Sequence, residues 1–337
     1  MKKARSRRDE LRRLLDAGTN PSTARKAAKA AVVASAGNTF EAVAREWFQK
    51  NLSKWKPSHS RTILQRFELY VFPAFGPQPI ADITSAQLLA LLRQLEARSV
   101  RETAHRVLQL CGQVFRYAVA TSRVTSDPTP ALRGSLTPAT VKHFSAVIDP
   151  SSASVLLRML DGYEGSPVVR IALQLAPLVF ARPGELRSAR WSDMDLDGAQ
   201  WRYTVTKTDS LHIVPLATQA VALLRELHAL TGTGTFVFPG MRSASRPMSN
   251  NAILAAMRRL GIAKEEMTGH GFRAMARTML VEQLHYPEHL IEQQIAHKVR
   301  DPLGRAYNRT THLPERTQMM QAWADYLDTL RRQDKPA

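Results

Sequence analysis

The sequence predicts a mainly α-helical protein with one small β-hairpin, divided into an all-helical domain and a mixed α/β domain. Its 337 residues exceed what one ordinary core requires and suit two domains with extensions. Apolar residues recur at helical spacing along most of the chain. Strand-like segments are predicted only at Trp201–Thr206 and His212–Leu216. The Pro-rich stretch Thr125–Pro130 separates the two domains.

The first 38 residues are predicted to be a basic helix followed by a small-residue linker. Residues 1–30 contain ten Lys or Arg and three acidic residues. Residues 31–38 are small and weakly polar, as is usual for a linker. This segment therefore stands apart from the helical domain that begins at residue 39.

Four helices are predicted in residues 39–130. The first begins near Thr39, where apolar side chains follow the i, i+3, i+4 pattern, and the second covers Arg61–Val71. Capping boxes place a Ser or Thr three residues before a Glu or Gln at a helix start. Two such pairs predict the starts of the third and fourth helices: Thr84 with Gln87, and Ser99 with Glu102.

Residues 131–148 are predicted to be a connector, and residues 149–337 a second domain that ends in a long tail helix. A turn at Thr208–Ser210 joins the two predicted strands into a hairpin. The predicted helices of this domain are 151–161, 166–180, one that starts at Pro183, 217–230, 249–260, 271–284, 287–296 and 313–331.

The composition of the chain indicates its kind of partner and its compartment. The net charge of +18 favours a polyanionic partner, which is nucleic acid or an anionic membrane surface. The longest strongly apolar stretch, Ile171–Ala181, is too short to span a bilayer, and no secretory signal is apparent. One cysteine, Cys111, cannot build a disulfide framework or a thiolate metal site and is expected in the core. We therefore expect a protein of a reducing cytoplasm whose partner is nucleic acid or an anionic membrane surface.

Four clusters in the second domain carry residues suited to phosphate chemistry. Each alone has an ordinary structural interpretation, such as a surface arginine or a solvated lysine at a hairpin tip. His270 and Arg273 are three residues apart, which places both side chains on one helical face. In chain order the candidates are Arg182, Lys207, His270 with Arg273, and His297 with Tyr307.

Taken together, the clusters resemble the tyrosine recombinase family, specifically the prophage integrases. The phrases that carry the resemblance are Arg182-Pro-Gly-Glu-Leu-Arg187, His212-Ile-Val-Pro-Leu216, His270-Gly-Phe-Arg273, Ala296-His297 and Ala306-Tyr-Asn-Arg309. The resemblance implies that residues 39–130 are a core-DNA-binding domain and residues 149–337 a catalytic domain. Residues 1–38 resemble only the tail of the arm-binding domain that such integrases usually carry.

The resemblance, together with residue chemistry, assigns a role to each candidate. Tyr307 would be the nucleophile and form a 3′-phosphotyrosine, with no cofactor or metal. Arg182 and Arg273 would bind the non-bridging phosphate oxygens, and Lys207 would protonate the departing 5′-hydroxyl. His270 would serve in general acid–base catalysis and His297 as a hydrogen-bond donor. Further candidate DNA contacts are Lys142, His143, Arg61 and His212, although a strand-positioning role suits His212 better. Glu185 is expected to support Arg182 or the fold.

The resemblance implies double-stranded DNA as the partner, a homotetramer on DNA, and accessory DNA-bending proteins, with no membrane. The apolar face of the tail helix, which includes Met319, Trp323 and Leu330, could dock on its own domain or on a neighbouring protomer. Two alternatives to an integrase remain, a type IB-like topoisomerase and a non-catalytic DNA-binding prophage remnant. A metal nuclease is disfavoured because the sequence has no cluster of carboxylates at two-metal spacing.

Overall fold

The computed structural model describes Ser22 and residues 37–138, 144–205, 209–297 and 312–333. The chain divides into two compact units, Met1–Val141 and Lys142–Ala337. This division falls inside the predicted connector. The described residues are mainly helical with small β-sheets, which confirms the predicted fold class.

The described part of the first unit consists of α-helices, short 3₁₀ turns and one π-helical turn. Its helices are α1 (Phe40–Asn51), α2 (Pro57–Arg66), α3 (Phe72–Phe75), α4 (Ser85–Ala97) and α5 (Arg101–Ala120), with a π-helical turn at Phe67–Val71 between α2 and α3. The 3₁₀ turns are Leu52–Lys54, Ile80–Asp82 and Pro130–Leu132.

An aromatic cluster organises the core of the first unit. Phe40, at the start of α1, lies edge-on to Phe75 with the ring centroids 5.0 Å apart, and it is fully buried. Thr39 caps α1 by accepting a hydrogen bond from the Ala42 backbone N–H at 3.3 Å. Cys111 lies in this core, and its burial raises the pKa of the thiol to about 12. The expectation of a structural cysteine is therefore confirmed.

Two details of the first unit differ from the sequence prediction. The second helix begins at Pro57 rather than Arg61, because Pro57 occupies the first helical position, where its missing N–H costs nothing. The capping box predicted at Ser99 is wrong, whereas the one at Thr84 is confirmed. Ser99 has a φ of +60°, so it belongs to the turn that precedes α5 and cannot cap that helix.

The second unit has eight further helices in the described ranges. They are α6 (Pro150–Asp161), α7 (Pro167–Val179), α8 (Pro183–Arg187), α9 (Thr218–Thr231), α10 (Ala252–Arg259), α11 (Gly271–Glu282), α12 (Glu288–Gln294) and α13 (Leu313–Arg332). Each corresponds to a predicted helix to within a few residues. The periodic apolar face therefore identified these helices correctly.

A three-stranded antiparallel sheet follows α8 and precedes α9 along the chain. Its strands are β1 (Met194–Asp195), β2 (Gln200–Val205) and β3 (Ser210–Pro215), in the order β1-β2-β3. The register pairs Trp201 with Val214 and Tyr203 with His212, so the predicted hairpin is confirmed. A second hairpin, β4 (Pro239–Gly240) with β5 (Ser243–Pro247), was not predicted because its strands lack apolar alternation.

The tail helix α13 packs on its own unit. Trp323 is fully buried, and its indole N–H donates a hydrogen bond to the Pro177 carbonyl at 2.9 Å. Ser154 on α6 donates a hydrogen bond to the Leu330 carbonyl at 2.7 Å. The apolar face of α13 is thus covered within the chain. Across the described ranges, no helix is both long and apolar enough to cross a bilayer.

Candidate active site

The structure brings Arg182, Arg273 and His270 together at the junction of α7, α8 and α11. His297 follows the turn that both arginines contact. Four of the predicted residues lie outside the described ranges: Lys142, His143, Lys207 and Tyr307. The roles assigned to these four residues stay predictions.

Arg182 is held between two turns. It precedes Pro183, the first residue of α8, which places its side chain where α7 has ended. Its guanidinium donates to the Glu185 carboxylate at 3.1 Å and to the Ala296 carbonyl at 3.1 Å. The side chain keeps 19% of its surface exposed, so an incoming anion can reach it.

Glu185 supports Arg182 from inside the protein, as the sequence suggested. The carboxylate is buried and accepts hydrogen bonds from the Arg182 backbone N–H at 3.3 Å and the Tyr203 hydroxyl at 3.0 Å. Burial, followed by the charge of Glu185, raises the pKa of Tyr203 well above its ordinary value. Tyr203 therefore remains a neutral hydrogen-bond donor.

Arg273 is a largely buried cation that binds two backbone carbonyls. It donates to the Phe180 carbonyl at 3.2 Å and to the Ile295 carbonyl at 2.5 Å. Burial, with a further contribution from Arg182, lowers the pKa of Arg273 to about 10, so it remains charged at neutral pH. Arg182 and Arg273 thus bind the consecutive carbonyls of Ala296 and Ile295.

Left-handed backbone conformations present two of the three carbonyls. Phe180 has a φ of +34° and Ala296 a φ of +50°, although neither is glycine. Non-glycine residues rarely adopt this region, and such strain is concentrated at functional sites. The two turns point their carbonyls at the arginines and so fix both guanidinium groups.

His270 immediately precedes α11, and Arg273 lies one turn later on the same face. The His270 imidazole stacks on the Phe144 ring, with centroids 4.5 Å apart and planes 16° apart. Burial, followed by the charges of Arg273 and Arg182, lowers the pKa of His270. The imidazole is therefore mainly neutral at neutral pH, in the form that can accept a proton.

His297 is oriented by a carboxylate. Its Nδ1 lies 2.6 Å from the Glu292 carboxylate, whose other oxygen accepts from Arg277 at 2.6 Å. Burial alone would raise the pKa of Glu292, but the bonds from Arg277 and His297 outweigh it and lower that pKa. The contact leaves Nε2 of the half-exposed His297 ring directed away from Glu292.

His212 serves a structural connection in the described residues. Its buried Nε2 donates to the Gln294 carbonyl at 3.0 Å, which ties β3 to the end of α12. Burial, with a further contribution from Arg316, lowers the pKa of His212 to about 4. This geometry favours the strand-positioning interpretation over a groove contact. Arg61, in contrast, is exposed on α2 of the first unit, and its DNA contact stays a prediction.

Sequence reasoning missed three supporting residues. Phe144 stacks on His270, Tyr203 donates to Glu185, and Arg316 donates to the Gln294 side chain at 2.8 Å. The alternation of β2 could have indicated that Tyr203 lies opposite His212 on one face. Phe144 and Arg316 have no local pattern that links them to the site, because their partners are distant in sequence.

Two family models match this chain. The phage integrase central domain matches residues 40–135, and the phage integrase family matches residues 146–312. The integrase of Enterobacteria phage P4 is 38% identical over 342 aligned positions, which cover 96% of this chain and 77% of that protein.

Solved structures support the same fold. A lambda integrase dimer bound to a COC′ core site has a TM-score of 0.64 at 18% identity and covers 91% of this chain and 90% of its own. A lambda integrase tetramer bound to a Holliday junction has a TM-score of 0.63 at 17% identity, with 80% of each chain covered. At this identity, the structural likeness concerns the fold alone.

Proposed function

This chain belongs to the phage integrase family of site-specific recombinases, and we propose that it cleaves and rejoins duplex DNA through a covalent bond between Tyr307 and a 3′-phosphate. Lys142, His143, Lys207 and Tyr307 enter this proposal through their sequence motifs. The described residues support the phosphate-binding half of the mechanism.

One observation carries the proposal: Arg182 and Arg273 donate to the consecutive carbonyls that precede His297. Burial, and after it the neighbouring charge of Arg182, lower the pKa of Arg273, so the site disfavours the second positive charge. Glu185 offsets one of these charges through its ion pair with Arg182. An anion is therefore favoured here, and a guanidinium fork matches the oxygens of a phosphodiester.

The proposed cleavage step balances without a cofactor. The Tyr307 oxygen attacks phosphorus, a P–O bond forms, and the bond to the 5′-oxygen breaks. The tyrosine loses its proton, and Lys207 supplies a proton to the departing 5′-hydroxyl. One phosphodiester replaces another, so the step is reversible, and the arginines stabilise the charge that builds on the non-bridging oxygens. Each such donor is typically worth ~10²–10³ in rate.

The two histidines would act on the same phosphate in different ways. His270, kept mainly neutral, can accept the proton that Tyr307 loses. His297 is held at Nδ1 by the Glu292 carboxylate, so its Nε2 is the ring nitrogen left to hydrogen-bond the phosphate. The geometry thus supports an acid–base role for His270 and a hydrogen-bonding role for His297.

The covalent step can be tested with a nicked suicide duplex that carries the candidate attachment core, in EDTA. We expect an adduct that resists SDS in the wild-type protein and none in Tyr307→Phe. Both proteins should bind the duplex equally in a gel shift. A wild-type protein that binds the duplex but forms no adduct would contradict the mechanism and favour a DNA-binding remnant.

The organisation on DNA is proposed from charge and similarity. We propose that residues 39–130 and 149–337 both contact duplex DNA, and that connector residues Lys142 and His143 and helix residue Arg61 contribute phosphate contacts. The net charge of +18 supports affinity that falls steeply with salt. The lambda integrase tetramer on a Holliday junction supports a tetramer during strand exchange. Accessory DNA-bending proteins complete the proposal.

The number of protomers and DNA sites that the reaction requires distinguishes a recombinase from a topoisomerase. A recombinase requires two sites, so joint molecules should form only with paired attachment sites and should depend steeply on protein concentration. Relaxation of a supercoiled plasmid by single protomers, with no recombinant product, would favour the topoisomerase alternative.

A further inference from the structure

Phe144 is an apolar side chain in an unusual position. The residue is 65% exposed, yet its ring lies parallel to the catalytic candidate His270 at 4.5 Å between centroids. Single exposed apolar side chains are common on protein surfaces, so it is the parallel contact with His270 that distinguishes Phe144. A cleft of about 310 Å³ opens beside the pair and is lined by both rings together with Pro183, Arg187 and Thr268.

The backbone that carries Phe144 is fastened to the loop that carries His270. The Ser145 carbonyl accepts hydrogen bonds from the Thr268 backbone N–H at 3.1 Å and from its hydroxyl at 3.3 Å. A Cβ atom on Gly271 would lie 2.5 Å from the same carbonyl, so only glycine permits this approach. The stacking is therefore fixed from the backbone on both sides.

The stacked ring limits what the imidazole can do. It covers one face of the exposed His270 ring and so restricts rotation of the imidazole. The charged groups that face His270 are Arg273, Arg182 and Glu185, and Arg187 shares the cleft. Both arginines near the ring oppose its protonation.

We propose that Phe144 is a positioning residue, which holds the His270 imidazole in the orientation and environment needed for proton transfer during DNA cleavage. This proposal rests on the proposed function, because it assumes that His270 moves a proton in that step. Phe144 itself touches no reacting atom in the proposal. Its contribution is made through the imidazole alone.

Replacing the Phe144 ring should change both the rate of cleavage and its dependence on pH. In Phe144→Leu, the imidazole loses the stacked ring and gains rotational freedom. The balance of desolvation and ring stacking that sets the pKa of His270 therefore changes, and the acidic limb of the cleavage profile moves. Loss of orientation should slow cleavage at neutral pH by about 10-fold to 100-fold. Phe144→Tyr preserves the stacked ring and should restore both rate and profile.

The test measures single-turnover cleavage of the suicide duplex against pH, together with DNA affinity, for wild type, Phe144→Leu and Phe144→Tyr. The same Phe144→Leu change is also made in a His270→Ala background. We expect unchanged affinity, the shifted acidic limb, rescue by tyrosine, and no further loss in the His270→Ala background. A loss that persists undiminished without His270, or a loss of DNA affinity alone, would overturn the positioning role.

A second readout needs no DNA cleavage. An NMR titration of the His270 ring in the DNA-free protein should differ between Phe144→Leu and wild type, and an unchanged titration overturns the proposal. If wild type cleaves but the titration is unchanged, the positioning role falls while the proposed function stands. If wild type forms no adduct, the proposed function falls and the catalytic role of Phe144 falls with it. The two failures are therefore distinguishable.

Discussion

Replacement of Arg273 by lysine tests whether the buried guanidinium acts on the phosphate or only on the fold. In the described structure, Arg273 uses one N–H for the Phe180 carbonyl and another for the Ile295 carbonyl, and a guanidinium has five. The same group can therefore bind two carbonyls and still present N–H donors to an anion. A lysine ammonium keeps the charge but cannot satisfy all of these partners from one nitrogen.

The expected magnitudes follow from those contacts. Arg273→Lys keeps at most one carbonyl bond, so it loses one charge-assisted bond, worth about 1.5–3 kcal/mol of unfolding free energy. Loss of a phosphate donor in the transition state should lower the cleavage rate by ~10²–10³. Affinity for DNA should change much less, because most of it comes from the many surface cations.

The assay combines thermal or urea unfolding with single-turnover cleavage of the suicide duplex at saturating protein. Arg170→Lys serves as the matched control, since Arg170 forms a partly exposed ion pair with Glu226 away from the site. We expect that control to stay within about 0.5 kcal/mol of wild type and to cleave normally. A folded Arg273→Lys protein that cleaves at the wild-type rate would refute the assigned role of Arg273.

Three further predictions follow from other parts of the fold. Burial lowers the pKa of His212 to about 4, so the unfolded chain binds a proton at this residue more readily than the folded chain does. The free energy of unfolding should therefore fall by roughly 3 kcal/mol as the pH decreases from about 6.5 to about 4. Urea denaturation between these pH values should show a shallower loss in His212→Gln, and an unchanged slope would contradict the role of burial. Gly271→Ala should destabilise by about 1–3 kcal/mol, because a Cβ would lie 2.5 Å from the Ser145 carbonyl; stabilisation, as helix propensity alone predicts, would show that the contact relaxes. Cys111, buried with its pKa raised to about 12, should react with a thiol reagent only when the first unit unfolds, so rapid labelling of native protein would argue against the core position.

Local pattern accounts for most of the fold. The apolar stripe of α1 and the alternation of β2 and β3 are short-range signals, and both elements form where they were predicted. The errors have local physical causes as well. Ser99 adopts a positive φ and cannot cap α5, and the hairpin of β4 and β5 has no alternating apolar residues to reveal it.

The residues of the candidate site were predicted from the sequence, whereas their hydrogen-bond and stacking partners were not. Residue chemistry and motif order identified Arg182, His270 and Arg273, which the fold brings together. The partners of these residues could not be predicted, because the Ile295 and Ala296 carbonyls are backbone groups that depend on how α12 ends. Phe144 likewise acquires its partner only when residues 144–147 pack against the loop before α11.

The most direct test of the central claim identifies the atom that becomes bonded to DNA. The covalent adduct would be digested with nuclease and protease, and the modified peptide sequenced by mass spectrometry, while the released DNA end is labelled with polynucleotide kinase. The mechanism predicts a phosphodiester on Tyr307 and a 5′-hydroxyl that accepts the label without phosphatase treatment. A nucleotide on any other residue, or a 5′-phosphate on the released end, would contradict it.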